Sequence, residues 1–116
     1  MADRAPRMTS VLFHLLLSLA EGEKHGYALL SEVAERTGGK LELGPSSLYY
    51  SLGRLEDAGL IRRAEAPPRT DEPHEEQRRY YALTPAGRAK LDEEVGVLSS
   101  IVDHARAIGF SGGGDR

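Results

Sequence analysis

One stretch constrains this chain more than any other: Gly44-Pro45-Ser46-Ser47-Leu48-Tyr49-Tyr50-Ser51-Leu52-Gly53-Arg54-Leu55-Glu56-Asp57-Ala58-Gly59. Gly44 suits an N-cap, and Pro45 suits the first helical position, where a missing N–H is no loss. Leu48, Leu52 and Leu55 recur at intervals of four and three, which makes one apolar stripe. Gly59 is placed to end the helix in a left-handed conformation, and Leu60 and Ile61 begin an extended run. The opposite face carries Ser46, Ser47, Tyr50 and Arg54, with Tyr49 between the two. A helix anchored by leucines and offering hydroxyls, a phenol and a guanidinium suits reading of a nucleic-acid groove. An ordinary amphipathic helix would carry the same stripe.

The segments before it supply two more helices. Thr9 or Ser10 can cap a helix running to about Ala20, with Val11, Leu12, Leu15, Leu16 and Leu19 as its buried side. Glu21 to Lys24 reads as a turn. Leu29, Leu30, Val33 and Ala34 then give the face of a second helix that stops at Gly38-Gly39. His25 stands just ahead of it with no second ligand at metal spacing, so an N-terminal capping or orienting role is expected. Lys40 to Leu43 alternates and forms a brief extended link. Residues 1–8 read as a loose arm; Arg4 and Arg7 are within reach of phosphates, although a solvated tail is the plainer reading.

After Ile61, Pro67-Pro68 ends any strand, and the charged segment Arg69 to Glu76 forms a loop tip. Gln77 to Leu83 is aromatic-rich and reads as a returning strand. Three helices followed by a two-stranded ribbon is the order of a winged helix-turn-helix over residues 9–83. Thr84-Pro85 starts a final helix across 84–110. Within it Leu91, Val95, Leu98, Val102 and Ala105 follow a heptad-like spacing, with Ile101 and Ile108 alongside. That seam can pack on the chain's own domain or meet the same helix in another copy. Dimerisation is the expectation, because the helix follows the wing and would leave a compact domain. The fold class is therefore mainly α with a small β-hairpin: a winged helix-turn-helix plus a C-terminal dimerisation helix, with a disordered Gly-rich tail at 111–116.

Composition narrows the function. The 116 residues suffice for one domain with an appended helix, and the 40% hydrophobic content supports a core. The chain has no Cys, which excludes disulfides, thiolate metal sites and Cys nucleophiles. Five Tyr and two Phe without any Trp argue against an aromatic cage. The longest apolar run, Val11 to Leu17, is broken by His14 and far too short for a membrane span, so the cytoplasm is the expected compartment. His14, His25, His74 and His104 are scattered, and no Ser-His-Asp, paired-carboxylate or phosphate-loop pattern occurs. No enzyme activity, cofactor or metal is expected.

The formal charge of −3 is unusual for a nucleic-acid binder. Its distribution matters more than its sum. Asp71, Glu72, Glu75 and Glu76 lie in one loop, and Asp92, Glu93 and Glu94 in the last helix; without those acids the remainder is net positive. A winged-helix module that binds a protein through its acidic wing and terminal helix is the rival reading.

The motifs His25-Gly26-Tyr27-Ala28-Leu29, Ser47-Leu48-Tyr49 with Leu52, Arg54-Leu55-Glu56, Gly59-Leu60-Ile61 and Arg79-Tyr80-Tyr81-Ala82-Leu83-Thr84-Pro85-Ala86-Gly87 together resemble the PadR family of bacterial transcriptional regulators. The likeness covers about Thr9 to Ala105, and the single terminal helix resembles the smaller subfamily. It implies a homodimer that represses transcription from a pseudo-palindromic operator and is released by a small, often aromatic or drug-like effector. On double-stranded DNA, Ser46, Ser47, Tyr50 and Arg54 would face the major groove, while Tyr27 and Tyr49 would bond phosphates. The family commonly has Gly-Thr-Leu-Tyr-Pro where this chain has Ser46-Ser47-Leu48-Tyr49-Tyr50, so Tyr50 replaces a proline. The wing tip is acidic where family wings are often basic, which shifts the burden to Arg78 and Arg79 at its base. The expected dimer interface is Leu91, Val95, Leu98, Val102 and Ala105. The effector pocket is expected between the terminal and first helices, near Phe13, His14, Leu98 and Val102; drug binding between interface tryptophans, known in some members, does not carry over to a Trp-free chain.

Overall fold

The computed structural model of the chain describes residues 7–65 and 79–113. The elements are α1 (Ser10–Ala20), β1 (Lys24–His25), α2 (Gly26–Arg36), α3 (Pro45–Asp57), β2 (Ile61–Ala64), β3 (Tyr80–Leu83) and α4 (Pro85–Ala107). Each helix begins where local chemistry says it should. Thr9 Oγ1 accepts from the Leu12 amide at 3.2 Å, His25 Nδ1 from Ala28 at 3.3 Å and Thr84 Oγ1 from Gly87 at 2.9 Å. α3 and α4 carry Pro at their first position. Gly59 sits at φ +79° just past the α3 C-cap, the conformation that stops the helix and turns the chain into β2.

The core gathers around α1, which packs on α2, α3, α4 and β3. Leu12, Leu15, Leu16 and Leu19 meet Leu29 and Val33 of α2 and Leu48, Leu52 and Leu55 of α3. Leu60, Ile61, Tyr81 and Leu91 close the cluster from the sheet and the start of α4. Val11, expected inside, is only half-buried. On the outer side of this packing, Arg36 donates to the fully buried Ser18 hydroxyl at 2.8 Å and lies 3.3 Å from His14 Nδ1. Lys24 bridges Glu32 at 2.8 Å and Glu21 at 2.9 Å, tying the turn after α1 to α2.

The sheet departs from the expected hairpin. It has three antiparallel strands in the order β1-β3-β2, with Lys24 opposite Tyr81 and His25 opposite Tyr80. β1 is two residues long. Alternation cannot show in so short a segment, so Glu21–Lys24 reads as a turn until β3 is there to pair with it. β3 thereby becomes the central strand, and Tyr80, Tyr81 and Ala82 are all buried. The returning strand is described from Tyr80, paired with Ala64, to Leu83, paired with Ile61. Gln77, Arg78 and the acidic wing tip, like the arm at 1–6 and the tail at 114–116, lie outside the described residues.

Candidate nucleic-acid interface

α3 is held by its leucines and leaves the expected surface outside. Leu48, Leu52 and Leu55 are buried, while Ser46, Ser47, Tyr50 and Arg54 are exposed. Gly44 gives the helix no side-chain cap, so the first-turn amides have no hydroxyl or carboxylate acceptor there. Tyr50 is 67% exposed, and the Arg54 guanidinium lies 5.9 Å from its ring centroid. A stacked pair of this kind holds the guanidinium extended while its donors stay available.

The two other tyrosines differ. Tyr27, at the start of α2, is 68% exposed on the outside. Tyr49 is half-exposed, and its hydroxyl end rests against Gly26; a Cβ there would collide with it. Gly26 is thus the notch that seats Tyr49 where α2 meets α3. Tyr49 therefore packs its phenol between helices while keeping one face outward.

At the wing, Arg79 is exposed immediately before β3, and Arg78 lies outside the described residues. Two cations that the sequence reading passed over stand beside it. Arg62 and Arg63 of β2 are both exposed, and Arg63 lies 5.8 Å from the Tyr81 ring centroid. Their signal was the Arg-Arg pair following Ile61, which alternation in a strand could have placed at the wing.

The expected effector residues come together in part. Phe13, His14 and Leu98 line a cleft of about 320 Å³ between α1 and α4, with Glu94 and the residues just before and at the start of α1; Val102 is not on its wall. Partial burial, and next the Arg36 guanidinium, hold the His14 imidazole below its ordinary value. Burial also pulls the Lys24 ammonium down, but its hydrogen bonds to Glu32 and Glu21 outweigh that and hold it above the usual value.

The expected interface residues divide. Leu91 is only 7% exposed and belongs to the domain's own core. Val95, Leu98 and Val102 are 43–44% exposed, Ala105 is half-buried, and Ile101 is 58% exposed. Among the described residues no cluster of three or more His, Asp or Glu is set to hold a metal, and no helix is long and apolar enough to cross a membrane.

A three-helix core with a small antiparallel sheet and an exposed third helix defines a winged helix-turn-helix protein. Residues 15–93 match the family model described as the transcriptional regulator PadR-like family, and the chain belongs to that family of transcriptional regulators. It is 35% identical over 92 residues to the transcriptional regulator Rv3488 of Mycobacterium tuberculosis, covering 79% of this chain and 78% of that protein. It is 40% identical over 80 residues to an uncharacterised 37.1 kDa protein in a transposon of Streptomyces fradiae, covering 69% of this chain but only 20% of that protein's length. Among solved structures it is similar to a PadR family transcription regulator from Clostridium difficile, with a TM-score of 0.71 at 20% identity over 86% of this chain and 98% of that one. The fold is thus shared well beyond detectable side-chain identity. As members of a regulator family, such chains are DNA-binding proteins and not enzymes.

Proposed function

We propose that this chain is a homodimeric transcriptional repressor, acting in the cytoplasm, that binds a pseudo-palindromic operator. The observation that carries the reading is the division of exposed surface. α3 offers hydroxyls, phenols and Arg54, while α4 offers an apolar stripe that the described residues of its own chain leave more than two-fifths exposed at Val95, Leu98, Ile101 and Val102. In this reading α3 enters the major groove N-terminus first, once per subunit. Ser46 and Ser47 meet phosphates or base edges, Tyr50 a thymine methyl or base edge, and Arg54 a phosphate or guanine. Tyr27 and Tyr49 face the sugar-phosphate backbone, and Arg78 and Arg79 the flank beside the wing. Val95, Leu98, Val102 and Ala105 join the two copies, and their symmetry sets the reading helices one DNA turn apart, roughly 34 Å.

The geometry also supports a route for release by an aromatic or drug-like effector in the cleft at Phe13, His14 and Leu98, with Val102 beside it. Thr84 donates to the Gly59 carbonyl at 2.7 Å and its amide to Leu60 at 3.1 Å, so the end of α3 and the start of α4 are fastened together. A ligand that binds one setting of the α4 pair better than another would therefore move the reading helices with it. The test is a gel shift of the purified chain on its own upstream promoter, over a salt series, with light scattering for subunit number. Dimers that bind with a steep salt dependence support the reading, and a monomer indifferent to duplex DNA ends it.

A further inference from the structure

Beside α3 runs an open groove of about 750 Å³ whose other wall is the start of α1. Arg7 and Thr9 stand on the α1 side, and Ser46, Ser47, Ser51 and Arg54 on the α3 side. No carboxylate lines it, although the chain as a whole carries a formal charge of −3. Val11, Leu12, Leu43 and Tyr50 also line it, so much of its wall is apolar, but both of its charged side chains are cations and the acids lie elsewhere. Among the described residues neither Arg7 nor Arg54 has a carboxylate partner, so both charges face outward. The α3 side adds first-turn amides with no side-chain cap. Arg7 is twelve positions from Leu19 and thirty-nine from Ser46, and only the packing of α1 on α3 makes it a neighbour of the reading helix.

We infer that Arg7 and Arg54 bracket one strand's backbone phosphates, so that the start of α1 forms a second rail of the DNA interface alongside α3. Three features favour a DNA strand as the occupant. The groove is open, so a polymer can pass along it. It is continuous with the α3 face that carries Ser46, Ser47 and Arg54. Its charge complements phosphate, and its hydroxyls are of the kind that hold backbone oxygens. This assignment rests on the reading of α3 as a DNA-contacting helix and adds a residue from a different element to it. Arg7 then fixes register on the duplex without selecting bases.

The experiment uses the full chain and its Arg7→Ala, Arg7→Lys and Arg7→Glu variants. Binding is followed by fluorescence anisotropy over a KCl series, on the upstream promoter duplex and on an unrelated duplex of equal length. For Arg7→Ala the slope of log K against log salt should shrink by about one per bound subunit. Affinity should fall by the same factor on both duplexes, with unchanged circular dichroism and melting temperature. Arg7→Lys should keep most of the slope, and Arg7→Glu should lose more than Arg7→Ala. If the unsubstituted chain binds and Arg7→Ala keeps its slope and affinity, this inference is overturned while the DNA-binding reading stands. A loss confined to the promoter duplex overturns the backbone assignment, since that outcome makes Arg7 a base reader. If the unsubstituted chain binds neither duplex, both readings fall.

Discussion

From Thr84 to Leu91, α4 is gripped by the domain it leaves, whereas from Val95 to Ile108 it turns apolar side chains to solvent. The two halves share one helix and one heptad-like pattern. In the first, Thr84 fastens to Gly59 and Leu60, Gly87 lies so close to Leu60 that a Cβ would strike its carbonyl oxygen, and Leu91 is buried. In the second, Val95, Val97, Leu98, Ile101 and Val102 are each at least 43% exposed. A regular pattern therefore marks a surface that needs covering without saying by what. One part of the stripe is covered at once by its own domain, and the rest stands at least 43% exposed at Val95, Leu98, Ile101 and Val102.

The sharpest way to break the contrast is Gly87→Ala. The atom in the way is backbone, so the helix start must shift from Leu60 and Thr84 together. We expect a loss of about 3 kcal/mol or more, at the upper end of overpacking costs, read from the denaturant midpoint. An unchanged midpoint would show that the joint between α3 and α4 is looser than its geometry. Gly26→Ala should cost less, because the obstacle there is the end of the Tyr49 side chain, which can swing aside.

Next comes a pair of substitutions on the same stripe. Leu91→Ala should lower stability by about 2–3 kcal/mol, as for other leucines removed from a core. Val102→Glu should leave the unfolding of an isolated subunit nearly unchanged, since that side chain is already half in water. It should instead raise the dimer dissociation constant at least about 100-fold, by placing an unpaired charge in the seam. Equilibrium sedimentation separates the two effects. Equal loss of stability from both would mean that the helix packs along its entire length on its own domain.

How much of this was legible from residues alone follows the range of the interactions involved. The starts of α1, α3 and α4 were readable at Thr9, Gly44-Pro45 and Thr84-Pro85, because a cap and its helix are neighbours in sequence. The faces of α3 were readable for the same reason. β1 was not, since two residues become a strand only when β3 lies beside them. Nor was the meaning of Gly26 or Gly87, because each makes room for a residue 23 or 27 positions away. The allocation of Leu91 to the core rather than the seam, and of Arg7 to the groove, likewise depends on which helices cross.

Gly96→Ala gives a smaller effect with a clear sign. Gly96 is in the exposed half of α4, and a Cβ there meets nothing within 4 Å among the described residues. Alanine should therefore stabilise an isolated subunit by up to about 1 kcal/mol through helix propensity. If dimer affinity falls while subunit stability rises, the partner helix approaches closely at Gly96. If both rise, the partner lies along Val95 and Val102 only.

The smallest effect concerns His14, which sits at the boundary between the two halves of α4. It shares the cleft with Phe13, Glu94 and Leu98, and Arg36 faces it from α2 while Lys90 pairs with Glu94 at 3.4 Å. Burial and Arg36 hold its folded pKa below the ordinary 6.5. The unfolded chain therefore binds the proton more readily than the folded one, so the contribution to stability is complete above that value. It declines as pH falls from there through the folded pKa. Melting temperature should drop modestly across this acidic window, and His14→Gln should flatten the part of the slope that lies there. Because the imidazole is only partly buried and lies in the cleft with Leu98, its charging should weaken the packing of α1 near Leu98 more than it weakens the core at Leu91. If the pH slope survives in His14→Gln, the acid sensitivity belongs to the carboxylates, and the cleft is indifferent to the charge of its histidine.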